Sequence, residues 1–247
     1  MYKKKISLVL SFIVISIFIN KVLDIIIKND IDDLKFHKDG HEFEYINKFN
    51  LMKKEYSKNF FLNSFLKEIS IISYDYINKV NYRNNLIHIM VNLDDNYIYP
   101  LIVSITSAMT NAKKNKTTLI YHILCSKNLQ KNNIYKLKSL LLIFPSNLEM
   151  IFYNMGNCFI KYKYQKYSQV TYYRLISPIF IPLDRIIYLD CDVLIFKDLY
   201  ELYQTPFNNN YVLGFLDILS GGIDYLGIPS EKYINAGINE FRKNKKR

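Results

Sequence analysis

The spacing of hydrophobic and polar residues changes several times along the chain, and each change marks an element. Residues 6–19 form an apolar run without a charge, set behind Lys3, Lys4 and Lys5. Residues 28–85 are charged and rich in Lys, Asn and aromatic side chains. Within them Phe61, Phe65, Ile69 and Ile72 recur at helical spacing and predict an amphipathic helix. From residue 86 the pattern alternates: an apolar strand over 86–91, the loop Asn92-Leu-Asp-Asp-Asn-Tyr97, then a helical face of Ile98, Leu101, Ile105 and Met109 with Pro100 in its first turn. A second strand follows over 119–124, a helix on Ile134, Leu137, Leu141 and Phe144 closed by Pro145, and a third strand over 148–153. That β-α-β-α-β order predicts a parallel sheet with right-handed crossovers. A further helix starts at Ser168 as N-cap and carries Arg174. Apolar runs over 186–189 and 193–196 then flank Asp190 and Asp192, predicting a buried central strand and a second short run. Another strand is expected over 211–216, before a loop with Gly221-Gly222.

Asp190 and Asp192 are where this pattern meets chemistry. Carboxylates beside a buried strand are costly unless a cation meets them. At i and i+2 they lie on one side of the strand line and can converge on one ion. The carboxyl end of a strand in an open α/β sheet is also the usual place for a ligand. For a bare D-x-D, a turn with both aspartates solvated is the plainer reading; the flanking apolar runs weigh against it. Two enzyme classes use the pattern. Phosphatases of the haloacid-dehalogenase type make the first Asp a nucleophile, and nucleotide-sugar glycosyltransferases use the pair to hold a divalent metal against a diphosphate.

Composition narrows the field. Of 247 residues, 50% are hydrophobic and 15% aromatic, which supplies a sizeable core and excludes a disordered chain. The net charge of +11 is concentrated in the two Lys-rich termini, with no basic stripe interleaved with aromatics, so no nucleic-acid partner is expected. Cys125, Cys158 and Cys191 have no metal-ligand spacing and imply no disulfide framework. His37 and His41 stand at i, i+4, but Gly40 intervenes and no third ligand is near, so their spacing is put down to chance.

The basic start and apolar run of 1–27 read as a signal anchor, with no small-residue cleavage site after it. A buried N-terminal helix is the alternative. The three lysines favour a cytoplasmic N-terminus and a single-pass protein whose bulk lies in a secretory lumen, as in the Golgi; a cytoplasmic location is the alternative. Asn115-Lys-Thr117 is an N-glycosylation acceptor consistent with lumenal exposure. The domain plan is an anchor over 1–27, a charged helical stem over 28–85 and an α/β domain over 86–247.

Four ordered segments carry a family resemblance: Leu93-Asp-Asp-Asn-Tyr97, Ser168-Gln-Val-Thr-Tyr-Tyr-Arg174-Leu, Arg185-Ile-Ile-Tyr-Leu-Asp-Cys-Asp-Val-Leu-Ile-Phe-Lys-Asp-Leu199 and Tyr233-Ile-Asn-Ala-Gly237. Together they resemble family 8 of the glycosyltransferases, the retaining galactosyl-, glucosyl- and glucuronosyl-transferases related to glycogenin. The likeness spans about two thirds of the chain, and four motifs in order are far more specific than any one. It implies an α/β fold of the GT-A (nucleotide-diphospho-sugar transferase) type, a mostly parallel sheet flanked by helices. It also weighs against the phosphatase, whose nucleophile strand opens its domain and whose later acidic pair is missing from 193–247.

The resemblance implies a retaining hexosyltransferase that moves a hexose from a UDP-sugar to a glycan or protein acceptor. Asp190 and Asp192 would ligate Mn²⁺ or Mg²⁺ bridging the donor diphosphate. Arg174 would reach the donor sugar and phosphate, a task suited to a planar, permanently charged fork. Asp94 and Asn96 would hold the uridine and ribose, with Asn92 near the base. Asn235, Ala236 and Gly237 would line the sugar, where a missing side chain lets the backbone approach. Asp217 falls near an acidic position of the family, though a turn Asp fits as well. The family's chain continues past Asn-Ala-Gly with sugar-contacting residues and a metal-binding His; here none of His37, His41, His88 and His122 follows the D-x-D. A C-terminally truncated domain is therefore expected. The competing reading is an inactive nucleotide-sugar-binding or interaction protein that keeps the fold.

Overall fold

The computed structural model describes residues 40–77, 85–113, 116–161, 168–208 and 212–213. Those up to Tyr203 belong to one compact unit. Helices α1 (Gly40–Tyr56) and α2 (Phe60–Leu66) lead into strand β1 (Ser70–Asp75). Strand β2 (Asn85–Leu93) is followed by a 3-10 turn, Asp95–Tyr97, and helix α3 (Ile98–Asn111). Strand β3 (Thr117–Cys125), helices α4 (Lys131–Lys138) and α5 (Leu140–Ile143) and strand β4 (Leu148–Asn154) come next. Two 3-10 segments, Gln169–Leu175 and Ser177–Ile179, precede the short strand β5 (Ile187–Tyr188) and helix α6 (Tyr200–Tyr203).

The strands form one sheet in the order β1-β4-β3-β2-β5. β2, β3, β4 and β5 run parallel, and β1 pairs antiparallel with β4. Strand alternation divides the core into two layers. Ile87, Ile89, Val91 and Leu93 face the side covered by α3, α4 and α5. Met90, Ile120, Leu124 and Tyr153 face the side covered by α1, α2 and the 169–181 segment. Covered on both faces, β3 is buried at every position, which explains its nearly unbroken apolar sequence.

The expected β-α-β-α-β core is present. The helix expected over 134–144 divides at Ser139 into α4 and α5. The helix expected through Ile72 ends at Leu66, because 70–75 completes the edge beside β4; Ile69 is buried, whereas Ile72 is exposed. The stem expected over 28–85 is therefore not a separate spacer in its described part. Phe49 of α1 and Phe65 of α2 lie in the core of the second layer. A boundary at residue 86 would strip that face of its cover.

Three readings near the D-x-D change as well. The strand before Asp190 is half-buried rather than central, and among the described residues it is the sheet edge beyond β2. Residues 193–196 form no strand, because Ile195 N–H donates to Ser107 Oγ and Asn111 Nδ2 donates to Ile195 O, tying this backbone to α3 instead of a ladder. Ser168 begins a 3-10 segment rather than an α-helix, and its side chain makes no cap hydrogen bond. Of the strand expected over 211–216, only Val212 and Leu213 are described. The anchor over 1–27, Asp217 and the Asn235, Ala236, Gly237 loop lie outside the described residues. Among the described residues no helix is long and apolar enough to cross a membrane.

Candidate active site

β2 and β5 are parallel neighbours, with Met90 opposite Tyr188, so their carboxyl ends open on the same side. Leu189 N–H still donates to Met90 O at 3.0 Å, and the next residue, Asp190, leaves the sheet. Cys191 Sγ sits 3.0 Å from Asn92 O and holds the two strand ends together. Burial first, then the charges of Asp190, Asp192 and Asp94, push the Cys191 thiol up to about 12. It is a neutral packing group, not a nucleophile.

Asp190 and Asp192 are both exposed at this end. Arg174 reaches Asp190 from the 169–175 segment: its Nη1 lies 3.9 Å from Asp190 Oδ1, and its Nε donates to Thr171 O at 2.9 Å. The guanidinium carbon stands 4.4 Å from the centre of the Tyr188 ring. Tyr188 in turn donates its hydroxyl to Asp190 Oδ1 at 2.7 Å. Burial, followed by that bond to the carboxylate, raises the Tyr188 phenol above its usual range, so it remains a donor. With side chains 36% and 62% exposed, the Arg174–Asp190 ion pair is long and solvated and adds little stability. A guanidinium held beside a carboxylate without closing on it keeps donors free for a ligand.

At the β2 end, Asp94 caps the 3-10 turn, its Oδ1 accepting from Asn96 N–H at 3.0 Å. Asp95 turns away, and its Oδ1 accepts from Gln130 N–H and Asn133 Nδ2. Asn92 is different: both its Oδ1 and Nδ2 are buried without a hydrogen-bond partner. On the segment packed against β2, the Gln169 and Tyr173 side chains meet each other. Buried polar atoms are nearly always paired, so the Asn92 amide has hydrogen-bonding capacity that the fold itself leaves unused.

These features coincide with a family match. The family described as glycosyl transferase family 8 matches residues 88–247, more than half of the chain. The chain belongs to glycosyltransferase family 8. Its sheet of parallel strands between helical layers is accordingly a GT-A fold. Among solved structures it is similar to the bifunctional glycosyltransferase WbbM in its apo form, at 25% identity over 59% of this chain and 25% of that one, with a TM-score of 0.46. It is also similar to LgtC, a galactosyltransferase solved in complex with donor and acceptor sugar analogues, at 25% identity over 54% of this chain and 48% of that one, with a TM-score of 0.47. The chain thus spans half or less of the length of these solved relatives. No curated protein matches it by sequence.

The family 8 fold brings together, from separate segments, the residues read as its donor site: Asp190 and Asp192 after β5, Arg174 from the 3-10 segment, and Asn92, Asp94 and Asn96 at the end of β2. Tyr188, Tyr173 and Gln169 were not singled out in the sequence. Tyr188 reads there as one more apolar residue of a strand, and the other two as ordinary residues of a motif whose Arg draws the attention. The residues present fit a divalent cation on the chemistry of their donors. Two exposed carboxylates offer hard oxygens, and Mg²⁺-like ions are held through one or two carboxylates plus substrate phosphates. Among the described residues no third His, Cys, Asp or Glu converges on them. Asp190 and Asp192 would hold such an ion, and it would supply positive charge against a diphosphate.

Proposed function

We propose that this family 8 glycosyltransferase transfers a hexose from a UDP-sugar to a glycan or protein acceptor with retained anomeric configuration, dependent on Mn²⁺ or Mg²⁺. The observation that carries the reading is the placing of Arg174 beside Asp190 at the joint carboxyl end of β2 and β5. A permanently charged fork and an exposed carboxylate pair, side by side, suit a diphosphate that arrives with a cation. Asn92, at the carboxyl end of β2, would lie near the base. In this reading Arg174 orients the phosphates and the donor sugar, and Asp94 and Asn96 meet the nucleoside. A bound ion would offset the charge that collects on departing UDP. Asn235, Ala236 and Gly237 would border the sugar.

Residues 1–27 would anchor the chain in a membrane with the catalytic part in the secretory lumen, on the strength of the lysines that precede the apolar run. Protease protection in sealed microsomes tests this, and digestion of the catalytic part would place it in the cytosol. The catalytic reading is tested by calorimetric titration of UDP and UDP-hexoses with and without Mn²⁺. Tighter UDP binding with the metal is expected, lost in Asp192→Asn. Metal-dependent binding without turnover of any UDP-hexose would favour the inactive binding protein.

A further inference from the structure

We propose that Tyr188 is a positioning residue that sets both the Asp190 carboxylate and the Arg174 guanidinium, one through its hydroxyl and the other through its ring. The inference rests on the donor-site reading above. Tyr188 is one of only two residues of β5, fixed by pairing with Met90, and its ring packs against the core of the second layer. It is therefore the rigid member of a group whose other two members are side chains open to solvent. Its hydroxyl, 2.7 Å from Asp190 Oδ1, occupies one carboxylate oxygen and so fixes how the carboxylate is turned. The face of the same ring carries the guanidinium at 4.4 Å, an attraction of the ring quadrupole for a cation. Arg174 is thereby held near Asp190 without the short ion pair that would consume both groups; the separation stays at 3.9 Å.

This arrangement divides two tasks between two parts of one side chain. Without the hydroxyl, Asp190 Oδ1 is free to turn to Arg174, and the carboxylate loses a fixed orientation. Without the ring, the guanidinium loses its shelf and keeps only the backbone tether to Thr171 O. Residues that orient a metal-binding carboxylate typically change affinity or activity by about 10–100-fold when altered.

The test compares Tyr188→Phe and Tyr188→Leu in the full chain. Mn²⁺ affinity is read by electron paramagnetic resonance titration with and without UDP, and kcat and KM by UDP-hexose turnover. Tyr188→Phe keeps the ring and should weaken Mn²⁺ binding in the presence of UDP by roughly tenfold with thermal stability unchanged. Tyr188→Leu should show the same metal defect and in addition raise KM for the UDP-sugar, since Arg174 is no longer held. Unchanged Mn²⁺ affinity in Tyr188→Phe overturns the proposal while leaving the donor-site reading intact. A Tyr188→Leu variant that folds and is no worse than Tyr188→Phe overturns the shelf role; should it fail to fold, Tyr188→Trp, which keeps a ring face without the phenol, must reproduce the Tyr188→Phe phenotype or overturn it. Absence of metal-dependent UDP binding in the unaltered chain defeats the donor-site reading and this proposal together.

Discussion

Strands β3 and β5 lie in one sheet, separated only by β2, and they do opposite work. β3 is nine residues long, buried at every position, paired to β2 over its whole length and to β4 from Leu119 to Cys125. β5 is two residues long, half-buried and paired only to β2 among the described residues. The long strand holds the layers together and offers no chemistry to solvent. The short one ends at once, and its end releases Asp190 and Asp192 into the open. Two carboxylates could not be kept ionised inside β3 without a partner cation. The proposed donor site, which would take an anion and a metal, needs an edge that stops.

Four experiments test that contrast. The largest effect belongs to the interior: Phe152→Ala, on β4 beside β3 and fully buried, should cost about 3–5 kcal/mol of stability, read as a lowered denaturation midpoint. If the loss is under about 1 kcal/mol, the central sheet is not what holds the fold. Next is Arg174→Ala at the edge, which should lower turnover by about 100- to 1000-fold while leaving the melting temperature unchanged, because an exposed ion pair contributes little. Arg174→Lys should restore little of it, a point charge being no substitute for a planar fork.

The third is acidification, which acts on the interior. His122 on β3 joins a buried chain of polar groups: its Nε2 lies 3.0 Å from His88 Nδ1 and its Nδ1 3.0 Å from Tyr153 Oη, which also bonds Tyr45 Oη on α1. Burial lowers His88 to about 4. His122 is lowered as well, first by burial and then by His88. In the unfolded chain both imidazoles gain a proton near pH 6.5, whereas in the fold His88 stays neutral until about pH 4 and His122 is held neutral well below its ordinary range. Stability is thus fully present above pH 6.5 and falls as pH drops toward 4, by about 1.4 kcal/mol per pH unit for each imidazole. Melts across that window should show the loss, and His88→Asn should flatten the slope by roughly half. A flat stability profile between pH 7 and 5 would contradict the buried pair.

The smallest effect tests how the edge is fixed in place. Asp198 accepts hydrogen bonds from Lys113 N–H, Thr117 Oγ1 and Tyr200 N–H. Asp198→Ala should cost roughly 1–2 kcal/mol, with activity falling along with stability. Activity lost at full stability would instead give Asp198 a part in the site.

Particular residues show why the sequence was more legible in some places than others. β2, β3 and β4 were readable to within a few residues because their apolar runs were bounded by loops and helical periods. The D-x-D and its Arg stood out in the sequence because four motifs occurred in order. β5 was misjudged because an apolar run such as 186–189 looks the same at an edge as at a centre. The expected strand at 193–196 failed because Ser107 and Asn111, more than eighty residues earlier, hold its backbone.

By itself the sequence determined the parallel core, the position of the carboxylate pair at a strand end and the family to which the chain belongs. Those are matters of local period and motif order, which a linear chain records directly. Only the tertiary structure decided that residues 40–76 belong to the fold, that Tyr188 stands between Asp190 and Arg174, and that His122 lies between His88 and Tyr153. Each of these depends on which distant segments share a face or an edge, and that is set by burial of the whole surface at once rather than by any stretch of residues.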